Sequence, residues 1–157
     1  MKTSRKLTFK LAAPADAATI AAMSRELIES GLPWSWTPER VARNLRQPDT
    51  LVLTAREGDA VAGFAIMQFG DERAHLSLLA VRPDCQRQGI ARHLLQWLTE
   101  SALAAGIALI RLELRETNQG ARRFYLSQGY AETLRIPGYY RGAETAVRMQ
   151  REIRVRP

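Results

Sequence analysis

Three groups of side chains in this chain have the types and spacing to do chemistry. The first is the run Gln86-Arg87-Gln88-Gly89-Ile90-Ala91-Arg92, which follows an apolar stretch, Leu76–Val81, and opens a segment with Ile90, Leu94, Trp97, Leu98 and Ala102 on one helical face. A loop feeding a helix N-terminus presents backbone N–H groups that have no intrahelical acceptor, and the helix dipole adds positive potential. Arg82, Arg87 and Arg92 surround it, and Gly89 lacks the Cβ that would hold a phosphate away. An ordinary strand–helix turn with solvated arginines has the same composition. No Walker lysine–hydroxyl pair and no Gly-x-Gly-x-x-Gly follows, so the usual nucleotide fingerprints are absent.

The second group is Leu109-Ile110-Arg111-Leu112-Glu113-Leu114-Arg115. Read as a strand, it puts Ile110, Leu112 and Leu114 on one face and Leu109, Arg111, Glu113 and Arg115 on the other. Glu113 is then a lone carboxylate between two arginines on its own face, which in an arbitrary strand is an ion pair. The third group is Asn118 with Phe124 and Tyr125: Asn118 has the type for a helix N-cap, and neighbouring helix positions point Phe124 and Tyr125 about 100° apart. Phe124 can face the core while Tyr125 points to the sheet end; by itself Tyr125 is as well read as a packing tyrosine.

The elements that must position these groups read off in order. Lys6–Leu11 is a first strand. Asp16 caps a helix running to Ser30, with Gly31 closing it. Leu32-Pro33-Trp34-Ser35-Trp36-Thr37-Pro38 is a stiff aromatic loop whose indoles either pack on the core or wall a ligand groove, and Thr37 with Pro38 starts a short helix. Leu51–Glu57 and Ala60–Phe69 are strands joined at Gly58-Asp59, and a third follows Gly70-Asp71-Glu72 and ends at Val81. The long helix ends near Ala105-Gly106. Leu109–Leu114 is reached by a helical crossover and so lies parallel to its predecessor. A helix from Asn118 through Gln128 stops at Gly129, and Ala131–Ile136 with Ala143–Glu152 forms a hairpin around Pro137-Gly138-Tyr139-Tyr140. This order is α+β with a mixed, mostly antiparallel sheet of about seven strands and about four helices.

The order of residues around Gln86–Ala91 resembles the acetyl-CoA loop of the GCN5-related N-acetyltransferases, Gln/Arg-x-x-Gly-x-Gly/Ala. Asn118-Gln119-Gly120-Ala121-Arg122-Arg123-Phe124-Tyr125 with Gln128-Gly129-Tyr130 resembles the second motif of that family. The spacing of Glu113, Asn118 and Tyr125, together with Pro33-Trp34-Ser35 and Tyr139-Tyr140, is most similar to the ribosomal-protein N-terminal alanine acetyltransferases. Thr145, where that subfamily has aspartate, and the second tryptophan, Trp36, depart from it.

The resemblance implies the family's single-domain acyl-CoA N-acyltransferase fold over 1–157 and acetyl-CoA as co-substrate. Backbone amides of Arg87, Gln88, Gly89, Ile90, Ala91 and Arg92 would hold the pyrophosphate, and Leu79, Ala80 and Val81 would pair with the pantetheine arm. Asn118 would fix the pantetheine or the helix start. Glu113 would be the general base, directly or through a water, and Tyr125 the general acid or a hydrogen-bond donor to sulfur. Trp34, Trp36, Tyr139 and Tyr140 would line the acceptor site. The acceptor implied is a primary amine, in particular a protein N-terminus. A small-molecule amine such as an amino acid, polyamine or antibiotic is the alternative, and a non-catalytic acyl-CoA- or nucleic-acid-binding module is a third reading.

Composition bounds these readings. A chain of 157 residues forms one domain with a sizeable core. The net charge of +7 asks for anionic company, which a cofactor with several phosphates supplies; the cationic side chains form no dense block of the kind that grips nucleic acid. The C-terminal arginines, Arg148, Arg151, Arg154 and Arg156, read as a solvated edge. The single cysteine, Cys85, forms no internal disulfide and has no sequence neighbour to act as its base. No apolar run approaches a membrane span and no metal-ligand cluster stands out, so the expectation is a cytoplasmic, metal-free enzyme, monomeric or homodimeric.

Overall fold

A computed structural model describes residues 6–154. Seven strands form one sheet in the order β1-β2-β3-β4-β5-β7-β6. The strands are β1 (Leu7–Leu11), β2 (Thr50–Glu57), β3 (Ala60–Phe69), β4 (Arg73–Val81), β5 (Leu109–Arg115), β6 (Ala131–Tyr140) and β7 (Glu144–Glu152). The helices are α1 (Ala17–Leu27), α2 (Pro38–Leu45), α3 (Ile90–Ala104) and α4 (Gln119–Ser127). All neighbours are antiparallel except β4 and β5, which the α3 crossover makes parallel.

The apolar positions sort into two layers, one on each face of the sheet. Ile20, Met23, Trp36 and Val41 from the α1–α2 side pack on Val52, Phe64, Ile66, Leu78 and Ala80. Leu95, Leu98 and Ala102 of α3 and Tyr125 of α4 pack on Met67, Ala74, Leu76, Ile110, Leu112, Leu114 and Met149. The expected alternation of β5 is therefore correct: Ile110, Leu112 and Leu114 face α3 and α4, and Arg111, Glu113 and Arg115 face the layer of α1 and α2.

β4 carries the feature that creates the site. Ile66 pairs with Leu78 and Met67 with Leu76, so Ser77 is an extra residue, a β-bulge. The bulge reverses the phase of the strand. Ala74 and Leu76 point to the α3 layer, whereas Leu78 and Ala80, which continue the same alternation in the sequence, point to the α1 layer. β4 pairs with β5 only through Arg73↔Leu109, Ala74↔Ile110 and His75↔Arg111. Beyond His75 the two strands part, leaving Leu76–Val81 on one arm of a fork and Leu112–Arg115 on the other.

Local chemistry explains most element boundaries. The Thr37 hydroxyl accepts from the Arg40 N–H at 3.3 Å, with Pro38 at the first position of α2. Two expectations are corrected. Asp16 occupies the N-cap position of α1, but its side chain makes no capping bond to the helix. It is itself helical, and its carboxylate turns back to the Ala13 N–H at 2.7 Å and pairs with Arg56 at 2.5 Å. The last hairpin does not turn at Pro137–Tyr140. β6 continues through Tyr140, and Arg141 and Gly142 take the positive-φ positions between the strands. Of the C-terminal arginines, Arg156 lies outside the described residues, as do residues 1–5. Among the described residues, no helix is long and apolar enough to cross a membrane.

Candidate active site

The loop after β4 reaches α3 through two left-handed residues, Arg87 (φ 67°) and Gly89 (φ 74°), the latter being the N-cap of α3. Gly89 is needed for its backbone more than for space, since a Cβ there would meet nothing nearer than Arg92 at 3.8 Å. Residues 86–89 are exposed, while Ile90 is buried and anchors the first turn. The amides of Ile90, Ala91 and Arg92 belong to that turn and have no acceptor within the helix. Leu79, Ala80 and Val81 pair with Ala65, Phe64 and Gly63 on one edge. Their other edge has no ladder partner among the described residues and faces the fork.

Gly63 sets how close β3 lies beneath this arm. A Cβ on it would meet Ala80 O at 3.0 Å, Val81 Cγ2 at 3.2 Å and Ile90 Cγ2 at 3.3 Å. Cys85 beside the loop is buried and accepts from Arg82 at 3.2 Å. Burial pushes its thiol up despite that guanidinium, so it is a packing residue and not an activated nucleophile.

Across the fork, the Glu113 side chain is 6% exposed. Its Oε1 accepts from His75 Nε2 at 2.6 Å and from the Tyr139 hydroxyl at 3.3 Å, and its Oε2 accepts from Arg148 Nε at 3.1 Å. The partners come from β4, β6 and β7. Burial pushes the carboxyl up, but the hydrogen bonds from His75 and Arg148 and the guanidinium charge outweigh it and hold the group below the ordinary glutamate value. The structure thus breaks the pairing suggested by adjacency: Arg148, directly opposite Glu113 in the β5–β7 register, is the partner. Arg115 instead bonds Ile28 O at 3.0 Å and lies 3.5 Å from Glu144, clasping the end of α1 to β7. His75 escaped the sequence reading; its alternation with Arg73 was legible, but its meeting with a residue 38 positions away was not.

Tyr125 is buried against Phe124 and Tyr130, with ring centroids 5.1 and 5.5 Å away. Burial, then the neighbouring Tyr130, drives its hydroxyl pKa well up. It belongs to the α3–α4 layer, on the opposite face of β5 from Glu113. Asn118 is the N-cap of α4, accepting the Ala121 N–H at 3.1 Å, so of its two expected roles the helix start is the one seen.

The aromatic expectations divide. Tyr139 is 45% exposed, reaches Glu113, and packs edge-on against Tyr140 with centroids 5.0 Å apart. Trp34 is partly buried under the Arg25 guanidinium and lines an open groove with Ala22, Glu26, Ser30 and Leu32. Trp36 is corrected from groove wall to core: it is 7% exposed, packs with the α1–α2 cluster, and carries Arg40 over its ring at 3.8 Å. The buried carboxylate of Glu29 holds this loop, accepting the Ser35 N–H at 2.7 Å, the Trp36 N–H at 3.2 Å and the Ser24 hydroxyl at 2.9 Å. Among the described residues no group of His, Cys, Asp or Glu is arranged to hold a metal ion.

The chain is similar in sequence and in fold to known proteins. The sequence profile described as acetyltransferase (GNAT) family matches residues 21–130. The chain belongs to this acetyltransferase family. The [ribosomal protein bS18]-alanine N-acetyltransferase of Salmonella typhimurium is 33% identical over 132 residues, covering 82% of this chain and 87% of that one. The crystal structure of the ribosomal-protein-S18-alanine N-acetyltransferase from Escherichia coli superposes with a TM-score of 0.83 at 29% identity, covering 97% of both chains. An acetyltransferase from Salmonella typhimurium solved with acetyl-CoA shares the fold, with a TM-score of 0.78 at 22% identity over 97% of this chain and 96% of that one. The activity of this acetyltransferase-family chain is N-acetyl transfer.

Proposed function

We propose that this chain moves the acetyl group of acetyl-CoA directly onto the N-terminal amine of a protein, with a ribosomal protein in the cytoplasm as the first candidate acceptor. The observation that carries this is the buried Glu113 carboxylate, held by groups from three other strands where β4 and β5 separate. Glu113 and the groups bonded to it stand where they can take a proton from an incoming amine, directly or through one of those partners. An α-amine, with a pKa near ~8, yields that proton at neutral pH far more readily than a lysine near ~10.4. The relatives named for N-terminal alanine acetylation supply the acceptor class.

In this reading the cofactor's pyrophosphate lies on the amides of Arg87–Arg92, and its pantetheine arm lies along the free edge of Leu79–Val81. The thioester then sits in the fork with Glu113 and its partners on one face and Tyr125 on the other. The amine attacks from the Glu113 side, and a strand-end N–H near Val81 steadies the carbonyl oxygen as it gains charge. The thiolate leaves toward Tyr125. A phenol whose pKa burial has raised further is a poor donor of a whole proton to a thiolate, whose own pKa is near ~8.5, so Tyr125 acts chiefly by hydrogen-bonding the sulfur. Tyr139, Tyr140 and Trp34 flank the acceptor.

The test is acetyl-CoA turnover over peptides with different first residues, alongside free lysine, polyamines and aminoglycosides. Turnover of N-terminal amines, slowed in Glu113→Gln, is expected. Preference for a small amine over every peptide would overturn the acceptor assignment.

A further inference from the structure

We propose that the base that deprotonates the acceptor is His75, and that Glu113 is the carboxylate that orients it. This deepens the function proposed above and rests on it. The imidazole sits at the apex of the fork, at the last residue pair joining β4 to β5. Its Nε2 lies 2.6 Å from Glu113 Oε1 and its Nδ1 lies 3.1 Å from Ser77 Oγ. An ionised carboxylate only accepts, so Nε2 carries the proton in this bond. The neutral ring then has its lone pair on Nδ1, which the bulged Ser77 hydroxyl meets as donor. The line hydroxyl–imidazole–carboxylate spans the fork from one arm to the other.

Accessibility separates the two groups. The Glu113 side chain is 6% exposed, with His75, Tyr139 and Arg148 already on its oxygens. The His75 side chain is 40% exposed and can meet an acceptor and return a proton to water. An imidazole is matched to neutral pH as a base, which a carboxylate held below its ordinary value is not. The groups facing this pair are Arg111 and Arg115 on β5, Arg148 on β7, Tyr139 and Tyr140 on β6, Ser77 on β4 and Gln68 on β3, the last paired to His75 and bonded to Asn44 of α2. None of these is an imidazole or a carboxylate.

The step balances without a further reactant. An ammonium proton passes to Nδ1 through the Ser77 hydroxyl, which accepts it while giving its own proton to the ring, and an imidazolium results whose Nε2–H stays on Glu113. The freed lone pair forms the C–N bond, and the C–S bond breaks to give the thiolate. The second nitrogen proton goes to sulfur by way of water, and the imidazolium releases its proton to solvent. The sum is amide, CoA thiol and one proton.

The experiment compares wild type with H75Q, H75A and E113Q in single-turnover acetylation across the pH range, using a peptide that wild type acetylates. Glutamine can still donate to Glu113 but cannot titrate. In H75Q the acetylation rate is expected to fall about 10²–10⁴-fold and the imidazole limb of the pH profile to vanish. Added imidazole should restore H75A in proportion to its unprotonated fraction, a response that a purely structural histidine would not give. E113Q should be slowed but keep the limb. A wild-type rate and limb in H75Q, or loss of the limb in E113Q alone, overturns the proposal. Independently of turnover, nitrogen NMR of the wild-type ring should show the proton on Nε2; finding it on Nδ1 overturns the assignment even if acetylation stands. A wild type inactive on all peptides would instead count against the acceptor assignment.

Discussion

Replacing Glu29 by alanine should destabilise the protein by about 3 kcal/mol. The carboxylate is buried and receives the N–H groups of Ser35 and Trp36 and the hydroxyl of Ser24. The hydroxyl can rotate away in the variant, but the two amides are fixed by the loop. An orphaned buried donor costs about 1–3 kcal/mol, and the partial burial of Ser35 places that amide toward the lower end. For a domain of this size, about 3 kcal/mol lowers the melting temperature by about 6–12 °C. Glu29→Gln retains one acceptor oxygen for the amides and should cost only about 1 kcal/mol, or about 2–4 °C. Because the same loop carries Trp34 over the groove beside α1, the alanine variant should also raise the KM for the acceptor while sparing that for acetyl-CoA. Thermal unfolding by circular dichroism, with steady-state kinetics on the same samples, decides the matter. A melting point for Glu29→Ala within about 2 °C of wild type, or equal losses in the two variants, would refute the view that this carboxylate holds the loop by accepting its amides.

Three other perturbations have equally definite outcomes. Tyr125→Phe removes one hydrogen bond to the developing thiolate and should lower kcat about tenfold to a hundredfold with little change in the KM for acetyl-CoA, read in a thiol-release assay. Gly89→Ala must place a Cβ at a positive φ, costing about 1–2 kcal/mol at the cofactor loop, and should weaken CoA binding by roughly tenfold in calorimetry. Glu113 has a folded pKa below its unfolded one, so its contribution to stability is complete above about pH 4.3 and is lost as pH falls through the lower, folded value. Denaturant titrations below that pH should show a shallower acid loss in Glu113→Gln than in wild type.

Particular residues show why some of this was legible in the sequence and some was not. The β4–loop–α3 unit, the two faces of β5 and the Asn118 and Thr37 caps rest on interactions within a few residues, so periodicity and residue type suffice. Partners brought together by folding left no such trace. His75 meets Glu113 across 38 positions, and Arg148 meets it across 35. Asp16 looked like a cap until Arg56, 40 residues on, drew its carboxylate away. Trp36 looked like its neighbour Trp34, and only the packing of α1 on α2 separates a core indole from an accessible one. The bulge at Ser77 is the subtlest case. The pattern Ala74, Leu76, Leu78, Ala80 continues through it unbroken, because both layers of the protein are apolar and each accepts the side chains that the bulge redirects.

The fork between β4 and β5 also divides the sheet mechanically. One half, β1 to β4, is laced by long antiparallel ladders; the other, β5 with β7 and β6, is laced likewise; three residue pairs stitch them together. Anything lodged between the open arms therefore works as a keystone, supplying from outside the cross-links that the polypeptide omits. The seam at Arg73–His75 and Leu109–Arg111 is where an empty protein should breathe and a loaded one should stiffen, so that occupancy by the thioester and rigidity of the catalytic apex arrive together.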